Sequence, residues 1–133
     1  MKVSRRSLLA QLTAAPVMLA ASSESITQVG FFAFGGVGFT GRMSSGEQAY
    51  RAIRSAPDAK AKFEELLQTG NPQARCYALV GLWKIDPRRF REEAEKLRNS
   101  SQPVHTMRGC VAHTQKMSEL VAEIESGAYN SAP

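Results

Sequence analysis

No GxSxG elbow, HExxH pair or other catalytic signature occurs in this sequence in the context that would make it work, so hydrolytic and metalloprotease chemistry has no local anchor. Cysteine is confined to Cys76 and Cys110, and neither stands where a lipid-anchored mature N-terminal cysteine would, which leaves no lipoprotein anchor. Long apolar runs are lacking as well. The most hydrophobic stretch, Leu8 to Ala21, has about 14 apolar-dominated positions with Gln11, Thr13 and Pro16 inside, too short for a membrane span. A basic stripe with interleaved aromatics is also missing. Arg88, Arg89 and Arg91 alternate into Glu92, Glu93 and Glu95, the pattern of a solvated helix face, so nucleic acid is not expected as a partner.

What is present begins with an export pattern. Ser4-Arg5-Arg6, followed one residue later by Leu8-Leu9, resembles the twin-arginine motif, and the weak apolar run after it leads to the small residues Ala21, Ser22 and Ser23. We expect residues 1–23 to be a signal peptide cleaved near Ala21 to Ser23, which places the mature protein in the periplasm or outside the cell. Lys2, Arg5 and Arg6 leave with that signal, so the formal charge falls from +5 to +2 and the high isoelectric point is largely a targeting effect. In an exported protein two cysteines read as a bridge. A Cys76–Cys110 disulfide closing about 35 residues would stabilise by roughly 3–4 kcal/mol.

Residues 24–43 form the next expected unit, an extended aromatic and glycine-rich arm. Its "ITQVGFFAFGGVGF" has no helical period, and Phe31, Phe32, Phe34 and Phe39 are expected to fill grooves on the helices. Gly36-Val37-Gly38-Phe39-Thr40-Gly41 fits the GxGxxG spacing of a dinucleotide loop. Such a loop needs a helix starting within it and an acidic residue about 20 residues on. The capped helix here starts later, near Ser44, so no cofactor is assigned and the glycines are read as structural.

Residues 44–133 read as a helical domain, each helix with its own punctuation. Ser44-x-x-Glu47 predicts a capping box, Asp58 an N-cap, and Asn71-Pro72 and Asp86-Pro87 a cap followed by a first-turn proline. The helix from Gln73 to Ile85 is apolar nearly all round and should be the one the others surround. Glu92 and Lys96 have the spacing of an i, i+4 ion pair. "VHTMRGCVAH" reads as extended, and a last helix carries Met117, Leu120, Val121 and Ile124.

Phe63 to Asp86, "FEELLQTGNPQARCYALVGLWKID", resembles a HEAT-type repeat. Leu66 and Leu67 take the end of the first helix, and Arg75, Ala78, Leu79, Leu82, Ile85 and Asp86 take positions on the second. With the signal and the glycine run, the chain resembles small exported bacterial proteins built on one such hairpin. The resemblance implies a binding scaffold that brings no catalytic residues. Only a poor second copy follows, Arg108-Gly109-Cys110 echoing Arg75-Cys76, so a compact domain is expected in place of a solenoid.

The expected architecture is therefore mainly α: a compact multi-helix domain with a HEAT-like hairpin at its centre and an N-terminal extended arm. The expected function is non-catalytic, an interaction or structural module of the cell envelope with a protein partner. The alternative of another class is a small exported enzyme or metal-binding protein. It would use His105, Cys110 and His113, with Cys76 completing a Cys2His2 set.

Overall fold

The computed structural model describes residues 26–133; the expected signal peptide, with Arg5 and Arg6, lies outside them. In chain order the elements are β1 (Gly36–Val37), β2 (Arg42–Met43), α1 (Ser45–Arg54), α2 (Ala59–Thr69), α3 (Pro72–Ile85), α4 (Pro87–Leu97), β3 (Pro103–Arg108), β4 (Val111–Lys116) and α5 (Met117–Glu125). The domain is mainly helical, with two small antiparallel two-stranded sheets.

Capping explains where most helices begin. Asn71 Oδ1 accepts from the Ala74 N–H at 2.9 Å and Asp86 Oδ1 from the Arg89 N–H at 3.2 Å, each just before a proline that has no N–H to lose. Ser44 Oγ likewise accepts from the Glu47 N–H at 3.1 Å. The expected reciprocal half of that capping box does not form, because the Glu47 carboxylate is engaged elsewhere. Asp58 makes no side-chain cap; its carboxylate lies 3.7 Å from the Lys62 ammonium, one turn along α2. On α4 the expected Glu92–Lys96 pair is replaced. Lys96 reaches Glu93 at 3.0 Å, and Glu92 lies near Arg88 and Arg89.

Helix α3 is the hub, packed by α1, α2, α4, α5 and β3. Its Cys76, Tyr77, Ala78, Leu79, Val80 and Leu82 have no exposed surface. Each large apolar side chain buried in this way contributes on the order of 1.5–3 kcal/mol, which ties the surrounding elements to one core. Gly81 lets α3 and α2 approach closely. A Cβ there would lie within 2.6 Å of three carbons of the Phe63 ring.

Residues 26–35 run across this hub and are held by backbone bonds. Asn71 Nδ2 and Gln73 Nε2 donate to Val29 O, at 2.8 and 3.2 Å. Tyr77 Oη donates to Ala33 O at 2.7 Å and accepts from Ala33 N at 3.0 Å. Phe32 adds as a single parallel bridge to β3, its N–H donating to His105 O and its carbonyl accepting from Met107 N. Phe32 is buried and Phe34 packs beside it, but Phe39 departs from expectation and is fully exposed.

Candidate functional site

The aromatic residues that cross α3 form one wall of a cleft of about 520 Å³. Its other walls come from α1, the end of β3 and the C-terminal residues 128–133. Phe32, Phe34 and Tyr129 meet there, with ring centroids 5.3 to 6.0 Å apart and inclined or edge-on geometry. Tyr77 and Tyr50 continue the cluster inward, at 5.3 and 5.1 Å from Phe34.

Two guanidinium groups stand at the rim. Arg51 is 46% exposed and binds Glu47 Oε1 through Nε at 3.0 Å and through a terminal nitrogen at 2.8 Å. Arg108 is 67% exposed and lies 3.7 Å from Glu123. Glu47 is itself only 2% exposed, and its second oxygen accepts the Gly35 N–H at 2.8 Å. That one carboxylate ties the glycine segment to α1 and fixes the direction of Arg51.

The phenols of this cluster are kept neutral. Burial pushes Tyr50 and Tyr77 above the ordinary value, and burial reinforced by the nearby Glu123 charge pushes Tyr129 up to about 12. These are the three tyrosines of the chain. A raised folded-state value means that their contribution to stability is complete below the unfolded value, about pH 10, and is lost as pH rises through the folded values. In an alkaline titration the near-ultraviolet tyrosinate signal is therefore expected only beyond pH ~10, rising together with loss of helical circular dichroism. Ionisation of all three at pH ~10 in a folded protein would contradict this packing.

The glycine motif does not form a phosphate loop. Gly36 pairs with Met43 and Val37 with Arg42, and the N–H of Gly41 bonds back to Gly38 O at 3.2 Å. Gly38 and Gly41 have φ of +73° and +62°, as the reversal at this hairpin tip requires. The hairpin docks on the β3–β4 turn through Gly38 N–H to Gly109 O at 3.0 Å. At the start of α1, where a nucleotide phosphate would sit, the Glu47 N–H is already taken by Ser44 Oγ.

The other residues singled out in the sequence are dispersed. In β3–β4, His105 pairs with Thr114 and His113 with Thr106, so strand alternation sends the two histidines to opposite faces. His105 Nδ1 lies 3.3 Å from Thr114 Oγ1. Among the described residues no group of three His, Cys, Asp or Glu side chains is arranged to hold a metal.

The expected Cys76–Cys110 bridge is not present, and both thiols are free. Cys76 is buried with Sγ 3.7 Å from Met117 Sδ, and burial raises its thiol well above the ordinary range. Cys110 is exposed in the turn at the far end of the hairpin from Met117. The strand between spans about 20 Å, whereas a disulfide needs Cα atoms within about 7 Å. In the native protein an alkylating reagent should modify Cys110 alone, with Cys76 reacting only after denaturation, as intact mass would record. Native modification of both, or of neither, would contradict this placement.

The sequence did not point to Arg51, Arg108 or Tyr129 as a set. They come from α1, β3 and the C-terminal segment, so no local spacing connects them. No protein-family model, curated protein or solved structure matches this chain.

Proposed function

We propose that this chain is an exported, non-catalytic interaction module of the cell envelope. Its cleft would take a segment of a partner protein that carries a carboxylate. The observation behind this reading is the division of labour among the cleft's polar groups. Tyr77 Oη and one oxygen of Glu47 are committed to holding residues 33–35, while the guanidinium groups of Arg51 and Arg108, each beside one carboxylate of the chain (Glu47 and Glu123), keep exposed surface at the rim of a neutral aromatic wall. An exposed guanidinium beside aromatic rings suits a carboxylate with an apolar neighbour. In the same reading α2 and α3 are a single HEAT-like hairpin, serving as scaffold. Export rests on the pattern of residues 1–23.

A photoreactive residue in place of Ser131, in the cleft, should give a discrete crosslinked product in envelope fractions, and Arg108→Glu in the same chain should abolish it. The same probe in place of Arg88, whose side chain is 86% exposed on α4, serves as control. Equal products from both positions would overturn the cleft reading. Export is tested separately: replacing Arg5 and Arg6 together by lysine should leave the unprocessed chain inside the cell. Normal processing of that variant would remove the twin-arginine assignment.

A further inference from the structure

Among the described residues strand β4 has one edge without a strand partner, and its chemistry is complementary to itself. On β3, the His105 carbonyl and the Met107 N–H turn toward Phe32, and the His105 N–H turns toward Gln73. The alternate residues Val104, Thr106 and Arg108 therefore bond to β4, through Gln115, His113 and Val111. By the same alternation the N–H and C=O groups of Ala112 and Thr114 point away from the sheet. Among the described residues they meet no backbone partner, and both residues are exposed. The Lys116 N–H on that edge is already taken by Glu119 Oε1 at 3.0 Å.

We infer that a second copy of this chain pairs along this edge, β4 against β4 in antiparallel register. Centring the two-fold axis on His113 places Ala112 opposite Thr114 of the other copy and Thr114 opposite its Ala112. Both are hydrogen-bonded pairs, and together they make four bonds between the copies. Shifting the centre by one residue either way sets Ala112 or Thr114 opposite itself, leaving the other opposite the Cys110 turn or the occupied Lys116. Only the His113-centred register uses all the free groups.

Charge favours the same occupant. Val111 to Gln115 contains no Asp, Glu, Lys or Arg, so no fixed like charges oppose each other, and Lys116 falls opposite Cys110. The charged groups on the His113 face are Arg108 of β3 and Glu123 of α5, and they already face each other within one copy. Strand β4 itself has no proline, its ladder with β3 has no bulge, and Val111 is 55% exposed, so the usual devices that prevent edge pairing are missing from Val111 to Gln115. Two short edges bury an area at the low end for specific interfaces, below roughly 1,200 Å², so the dimer is a weak one.

Sedimentation of the processed chain should show mass rising from monomer toward dimer between about 10 and 500 µM, the range suited to a weak interface. Ala112→Pro removes an N–H that the monomer does not use and should hold the protein monomeric with its circular dichroism spectrum unchanged. Register is tested by oxidative crosslinking in a Cys110→Ser background. His113→Cys should give a disulfide dimer, since the two copies of position 113 face each other, while Ala112→Cys and Thr114→Cys should not. A protein that stays monomeric at the highest concentration would overturn the proposal. So would a dimer that persists in folded Ala112→Pro, or crosslinking that is equal at the three positions. Protection of this edge only on adding envelope extract would assign it to a different partner and overturn the self-pairing.

Discussion

Glu47→Ala is expected to destabilise the domain by about 3 kcal/mol, or roughly 10–20 °C in Tm for a domain of this size. The Glu47 side chain is 2% exposed and its two oxygens serve two partners, the Gly35 N–H at 2.8 Å and the Arg51 guanidinium at 2.8 and 3.0 Å. Hydrogen bonds to charged groups contribute about 1.5–3 kcal/mol each, more than neutral ones. The Arg51 share is discounted because that side chain is 46% exposed and regains water when its partner is removed. The Gly35 share is discounted less, because its acceptor is a carboxylate that is itself 2% exposed. Glu47→Gln keeps an acceptor for Gly35 and should lose only about half as much. Chemical denaturation of the three proteins gives the order wild type, Gln, Ala. An alanine variant within ~0.5 kcal/mol of wild type would show that residues 33–35 are held without this carboxylate.

The same residue shows what the sequence could and could not convey. Ser44-x-x-Glu47 is a local pattern, and the helix start it predicts is present, because a serine cap needs only the next three residues. Where the glutamate goes depends on Gly35, which approaches through the fold, and this contact outcompetes the cap. Helix boundaries at Asn71-Pro72, Asp86-Pro87 and Gly70 were legible for the same local reason. So was α3 as the hub, since a helix that is apolar all round has no face to give to water.

The site was less legible because its parts are distant in the chain. Phe32 and Phe34 stood out as aromatic residues in an extended segment, yet nothing near Tyr129 or Arg108 signals that they complete the wall. The cysteine pair failed for a related reason. Counting two cysteines in an exported chain favours a bridge, but the hairpin turn that carries Cys110 lies at the opposite end of β3–β4 from the sulfur pair of Cys76 and Met117. The GxGxxG run lacks a helix starting within it, which is the local sign against a nucleotide loop. What the structure adds is a physical replacement: a two-residue ladder closed by glycines of positive φ, docked on Gly109.

Gly81→Ala sets local propensity directly against packing. In an exposed helix interior, replacing glycine by alanine stabilises by about 1 kcal/mol. Here the new methyl would sit within 2.6 Å of three carbons of the Phe63 ring, which is fully buried and packed against Tyr50 with centroids 5.6 Å apart. The ring has no solvent to move into, so α2 must shift away from α3 or Phe63 must leave its rotamer. Overpacking of this kind costs typically 1–3 kcal/mol and sometimes more, so a net loss of about 1 kcal/mol is expected after the gain in propensity. A second substitution separates the causes. Phe63→Leu alone should destabilise by leaving a void, while the double variant should be more stable than the sum of the single losses predicts, by about 1 kcal/mol or more. Additive losses in that cycle, or a stabilised Gly81→Ala, would mean that the α2–α3 interface yields more readily than its buried ring contact implies.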